Sequence, residues 1–234
     1  RVTDPRRPPA PDAAERARLI ADARLAWTYI DRFTDAGTGL CAGTVQMGQH
    51  QAVNREATMW DLASQLHGIR VAHQLGFIDQ PEAEGRVRLL VDNLPIARIA
   101  GLSLPPAMFR TDDGSAVRPG FDICDTGRFV IALNAVVAKG LMDPVTAGLV
   151  ISSWDLDAAV PQGRPHSYDD EAWRDTTRSH CTPYIRRGLA ALGYDVALPY
   201  PGLAAGAEAD RQIALFYDVA AIGPVGVEPV LLDL

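Results

Sequence analysis

Lysine is almost absent from this 234-residue chain: of 22 basic residues only Lys139 is lysine. Schiff-base chemistry therefore has a single candidate, and it falls near the end of an expected helix, where a cation simply suits the dipole. Cysteine is scarce too. Cys41, Cys124 and Cys181 contain no C-x-x-C pair, which excludes a zinc ribbon or a thioredoxin motif. Three buried thiols, or one bridge and one free thiol, both fit that odd count. The histidines His50, His67, His73, His166 and His180 form no H-x-x-x-H or H-E-x-x-H pair. No metal and no cofactor is therefore expected, with calcium on loop aspartates as the exception to watch. There is no G-x-S-x-G elbow and no phosphate-binding G-x-x-x-x-G-K-[ST]. No apolar run reaches the roughly 18 residues of a membrane span. A basic block is also missing, and the net charge is −7. Nucleic acid and anionic membrane surfaces are thus not expected partners.

What is present is an ordinary globular balance, 47% apolar and 22% charged. The length fits one domain large enough to bury a core. Residues 1–11 hold four prolines and three arginines and read as an extended arm; residues 12–234 read as a single domain. The chain starts at Arg1, so a signal peptide would already be gone.

Apolar residues recur at helical spacing through most of the chain. Leu19, Ile20, Ala23, Trp27 and Ile30 mark a helix to about Phe33. Further helices are expected over about 55–76, 81–100, 123–140, 143–151, 169–192 with a break near Pro183, and 206–220. Sustained strand alternation is absent, so the expected class is all-α. Long loops at 34–53, 101–121 and 161–167 each lead into a helix start. In antiparallel hairpins these loops gather at one end, where a site is expected.

Acids sit at those helix starts. Thr58 precedes Asp61 by three, Asp122 precedes Asp125 by three, and Ser152 precedes Asp155 by three. One reading is the capping box, in which such an acid satisfies orphan N–H groups and complements the dipole. The other uses the same place: acids on neighbouring helices aimed into one cleft can act as general acid and general base. Asp61 and Asp125 are the leading pair, with Asp122 and Glu56 in reserve. Burial beside Trp60 or Phe121 would let one acid hold a proton. Arg128 pairs with Asp125 at i, i+3 or orients a substrate hydroxyl. Trp60, Arg128, Tyr184, Thr38 and Asn54 are the candidate sugar-positioning residues. The aromatics also include Trp27, Phe121, Trp154, Tyr168 and Trp173, and core packing is the alternative role for each. Trp60-Asp61-Leu62-Ala63 is echoed weakly by Trp154-Asp155-Leu156-Asp157.

Several segments in order carry a resemblance. They are Ala26-Trp27-x-Tyr29 with Thr38-Gly39-Leu40, then Thr58-Met59-Trp60-Asp61-Leu62-Ala63, and His73-Gln74-Leu75-Gly76-Phe77-Ile78 with Glu82-Ala83. After them come Phe121-Asp122-Ile123-Cys124-Asp125-Thr126-Gly127-Arg128 and Glu228-Pro229-Val230-Leu231-Leu232. Over about residues 23–234 the chain resembles the domain-of-unknown-function 3131 family of bacterial proteins. That family is similar to six-hairpin (α/α)-barrel glycosidases, including enzymes that cut β-linked glucans. The resemblance implies a toroid of helical hairpins with an acidic, aromatic carbohydrate cleft, and export to the periplasm or beyond. Asp61 and Asp125 match its W-D and D-x-G-R motifs.

A complete ring needs roughly twice the helices read here. The chain is then a shortened member, a fragment, or a ring completed by a second copy or another chain. The function expected is glycoside hydrolysis of bacterial polysaccharide or β-glucan by paired carboxylates. A non-catalytic carbohydrate-binding or scaffold protein and a polysaccharide lyase are the alternatives.

Overall fold

A computed structural model of the chain describes residues 10–48 and 52–197. Seven α-helices occur among them: α1 (Ala13–Phe33), α2 (Met59–Gln74), α3 (Gln80–Asp92), α4 (Ile123–Val137), α5 (Pro144–Ser152), α6 (Leu156–Ala159) and α7 (Thr182–Ala190). Their starts follow from local chemistry. Asp12, Asp79 and Asp143 each accept a hydrogen bond from the backbone N–H three residues on, and Pro81 and Pro144 occupy first-turn positions. Gly76 and Gly140, at φ of 71° each, follow α2 and α4, where a left-handed residue ends a helix without strain.

The long loops are not structureless. They hold β1 (Thr44–Gln46), β2 (Ala52–Asn54), β3 (Glu56–Ala57), β4 (Ala97–Ile99), β5 (Leu102–Leu104), β6 (Phe109–Arg110), β7 (His166–Asp169) and β8 (Ala172–Asp175). These pair as four two-stranded antiparallel units, β1–β2, β3–β6, β4–β5 and β7–β8. The all-α expectation is corrected to helix-rich with peripheral hairpins. Strands of two to four residues are too short for alternation to register as a period. The expected helix over 81–100 ends at Asp92, because residues 97–104 fold into β4–β5. The expected helix over 169–192 is a hairpin followed by α7. Asp155 is not a capping-box acid: it accepts from Ser103 N at 2.7 Å, and Trp154 is buried in the core, so the echo of Trp60-Asp61 is not a structural repeat. His50, the expected helix at 206–220 and the Glu228–Leu232 segment lie outside the described residues.

Direction along the helices is set by their contacts. Arg128 of α4 bonds Trp60 O and Ser64 Oγ of α2, and Asp125, one turn earlier, meets the start of α2. Position thus rises together on both helices, and α2 and α4 run the same way. On α4, Cys124 is joined to Cys181, and Gly127 lies against Ile185 of α7, so α7 runs that way too. These three helices carry most of the buried helical residues. No residue of α1 is buried, and α5 buries only Ala147 and Ile151. Ile30 of α1 packs toward Gly68 of α2, and Ala23 and Ala26 of α1 share a cavity with Val71 and Phe77, so α1 returns antiparallel. The helices α2, α4 and α7 thus run parallel, α1 returns against α2, and α3 and α5 pack on α2 and α4 respectively. One hydrophobic cluster runs through them from Leu40 to Val196.

The inner seam is tightest between α4 and α7. A Cβ on Gly127 would stand 2.6 Å from Ile185 Cα and 2.9 Å from Tyr184 O. The Cys124–Cys181 disulfide, with Cα atoms 5.5 Å apart, staples the same seam across 57 residues of sequence. A closed loop of that length stabilises by about 4 kcal/mol through the unfolded chain's lost entropy. Three thiols are therefore corrected to one bridge and a buried free thiol, Cys41.

Gly127→Ala gains about 1 kcal/mol of helix propensity but drives a methyl into backbone that cannot retreat. Packing wins, and the variant should lose about 2 kcal/mol of unfolding free energy. Gly85 in α3 faces open space, so Gly85→Ala should instead gain up to about 1 kcal/mol. Urea unfolding followed by circular dichroism reads both; shifts of the same sign would contradict this packing.

Candidate functional site

The parallel course of α2 and α4 brings their N-termini together, and the acids meet there. Thr58 begins α2. Its Oγ1 accepts from Trp60 N at 3.1 Å, and Asp61 Oδ2 accepts from Thr58 N at 2.9 Å, a complete capping box. Asp122 begins α4, its Oδ1 accepting from Cys124 N at 2.8 Å and Asp125 N at 3.2 Å. Asp125 does otherwise. Its carboxylate lies across the seam beside the Thr58 hydroxyl and the Trp60 N–H of α2, both of which favour its charged form. It thus faces the neighbouring helix, not its own.

All three aspartates are half-buried. Ligand atoms of Asp122, Asp125 and Cys124 lie within 4.8 Å of one another. Burial pushes the Asp125 carboxyl up to about 6; the charges of Asp122 and Asp61 add to the rise, while Thr58 and Trp60 oppose it. Cys124 sulfur is tied up in the disulfide, so it is no thiolate ligand. That leaves a carboxylate pair, short of the six to eight oxygens that calcium takes.

Trp60, Arg128 and Tyr184 join the same region. The Arg128 guanidinium lies 4.2 Å from the Trp60 ring centroid and donates to Trp60 O at 2.6 Å and Ser64 Oγ at 2.8 Å. The spacing-based ion pair with Asp125 is replaced by these bonds to α2. Tyr184 of α7 is buried and meets Trp60 edge-on, with ring centroids 5.0 Å apart.

The remaining candidates are placed differently. Thr38 is buried and donates to Thr111 O at 2.5 Å, which ties the loop after α1 to the loop before α4. Pairing of β3 with β6, and Thr111 N on Arg55 O at 2.7 Å, complete that tie, so the two long loops share one end as expected. Asn54 is exposed, its side-chain oxygen accepting from Glu56 N at 3.1 Å. Glu56 sits opposite Arg110 in the β3–β6 pair and is not among the groups acting on Asp125. The structure therefore gathers Asp61, Asp122, Asp125, Trp60, Arg128 and Tyr184, and gives Thr38, Asn54 and Glu56 roles in the loops.

Two contributors escaped the sequence reading. Thr58 had a capping signal but none for its place beside Asp125. At Gly43 a Cβ would stand 2.4 Å from Glu56 O and 3.3 Å from Asp61 Oδ2, so glycine lets this loop close on β3 beside that carboxylate. One cavity, of about 540 Å³, lies elsewhere, beside Trp154, Asp155 and Tyr194. The acids instead occupy the open ends of the helices.

This architecture is shared with solved structures. A putative glucoamylase from Bacteroides fragilis superposes with a TM-score of 0.59 at 15% identity, covering 95% of this chain and 56% of its own. A second, from Bacteroides caccae, gives 0.56 at 15% identity, covering 91% of this chain and 55% of its own. The chain thus spans little more than half the length of these relatives, and at that identity the likeness is one of fold. No curated protein matches the sequence. The family described as "Protein of unknown function (DUF3131)" matches residues 21–206, most of the chain and all of the helical seam that holds the acids, and this protein belongs to it.

Proposed function

We propose that the chain hydrolyses glycosidic bonds in a polysaccharide or oligosaccharide, with Asp125 as the general acid. The observation that carries this reading is the half-buried Asp125 carboxyl, raised to about 6 beside two further carboxylates at the open end of a glucoamylase-like fold. Asp125 gives its proton to the departing glycosidic oxygen as the bond from the anomeric carbon breaks. A second carboxylate, Asp61, accepts a proton from the water that attacks that carbon, or attacks the carbon itself to form a glycosyl ester that water then cleaves, giving its proton back to Asp125. In the first route one turnover leaves Asp125 charged and Asp61 protonated, and solvent resets both. Asp61 Oδ2 is held by Thr58 N–H, so its other oxygen is the one left for this work.

The carboxylate cluster also narrows the substrate. Three acids in a chain of net charge −7 repel uronates, so a neutral or amino sugar suits the site. Arg128 is committed to Trp60 O and Ser64, which argues against its neutralising a uronate in a lyase reaction. One observation favours a second reading, binding without turnover: Asp61 and Asp122 both serve as helix caps. Export is supported by the Cys124–Cys181 bridge, which persists in oxidising compartments.

The raised Asp125 group links folding to pH. The unfolded carboxyl loses its proton near its ordinary value of 3.8, whereas the folded one keeps it to about 6. The folded state therefore binds more protons between those values, and stability falls as pH rises through that window. Asp125→Asn has no such proton. Wild type should lose about 2–3 kcal/mol relative to the variant between pH 4 and 6, read by urea unfolding at each pH. A constant difference would remove the proton-holding role.

Activity is tested on a panel of neutral and amino-sugar glycans, with products resolved by chromatography. Asp125→Asn and Asp61→Asn should each lower turnover by roughly a hundredfold or more with the fold retained. Carbohydrate binding by both variants, in a wild type that cleaves none of the panel, would favour the binding protein.

A further inference from the structure

The β7–β8 hairpin stands beside the acids. Tyr168 and Phe121 exchange two backbone hydrogen bonds of 2.9 Å, and Ser167 Oγ accepts from Ile123 N at 3.2 Å. These bonds grip the chain on both sides of Asp122. Arg118 reaches across to Asp169 at 3.5 Å, fastening the loop before α4 to the same hairpin. Its turn places Asp170 and Glu171 at φ of 48° and 61°, a left-handed conformation that costs side-chain-bearing residues about 1 kcal/mol or more each. The protein tolerates this strain to hold a two-residue turn.

The turn sets Trp173 directly opposite Tyr168 in the register. The Trp173 ring lies 5.2 Å from Tyr168 and 6.4 Å from Phe121, edge-on to both. Trp173 keeps 36% of its surface open on a strand whose residues are all exposed. The other tryptophans are occupied. Trp154 is buried, and guanidinium groups lie over Trp27 and Trp60. Among the described residues no such cation covers Trp173. An indole braced by two aromatic neighbours, open to water and anchored through the residues flanking Asp122, is built to meet the apolar face of a flat ring.

We infer that Trp173 is a stacking platform for a pyranose unit of the substrate chain, beyond the unit held at Asp125. This rests on the carbohydrate reading of the site. The C–H face of a sugar covers the open indole, and Glu171 at the hairpin tip can accept from its hydroxyls, while Asp170 is paired with Arg174 at 3.0 Å. The platform would favour longer chains, which can cover the acids and the indole together.

Calorimetry with β-linked thio-gluco-oligosaccharides tests this, since the sulfur linkage binds while resisting hydrolysis. Wild type should bind a six-unit probe about tenfold or more tighter than a two-unit probe. Trp173→Leu keeps apolar packing against Tyr168 and Phe121 but has no flat face; it and Trp173→Ala should bring the six-unit affinity down to the two-unit level. Trp173→Phe should restore most of it, and two-unit binding should not change. Six-unit binding equal to wild type in the Ala and Leu variants overturns the platform alone. Equal losses for both probes also overturn it, as damage to the site in general. Failure of wild type to bind either probe defeats the carbohydrate reading and the platform with it.

Discussion

Three inner helices running the same way impose the constraint on which this structure depends. Parallel α2, α4 and α7 set their positive dipole ends side by side, an arrangement that needs negative charge at that end. Asp61 and Asp122 supply it as caps, each bonded to backbone N–H of its own helix. Asp125 is the third acid in the same space and turns to α2 instead. It is drawn there by the Thr58 hydroxyl and the Trp60 N–H, and opposed by burial and by its two neighbours. Opposition wins, so the group holds a proton well above the usual carboxylate range. Capping and proton storage are thus two results of one arrangement of helix ends.

The depth of that site depends on the seam between α4 and α7. Gly127 and Gly188 let the two backbones touch, and the disulfide fixes their first turns. Only with α7 this close does Tyr184 reach the edge of Trp60. Trp60 in turn carries the Arg128 guanidinium over its face and presents its N–H to Asp125. The close approach of α4 and α7 is thus linked to the acids through Tyr184 and Trp60. The loops close the end by similar means: Thr38 on Thr111, β3 on β6, and Phe121 on Tyr168 each bind one connection to the next.

The residues with chemical potential lie on the inner helices or on loops at their N-terminal end. This is where an (α/α) arrangement brings together side chains distant in sequence, such as Thr58 and Asp125.

Helix starts and stops were legible in the sequence because they are decided within a few residues. Asp12, Asp79 and Asp143 bond N–H groups three positions on, and Gly76 and Gly140 take up the conformation that ends a helix. The motif acids Asp61 and Asp125 were legible for the same reason, as first-turn residues. The hairpins at 97–104 and 166–175 were not, since strands this short are made by a partner strand and carry no period of their own. Nor could spacing give Arg128 its bonds to Trp60 and Ser64, or join Cys124 to Cys181, because contacts across more than fifty residues belong to packing. The sequence by itself determined which residues are acids at helix starts. Tertiary structure alone decided that Asp125 faces another helix, because only the parallel seam brings α2 near enough to compete with α4 for its carboxylate.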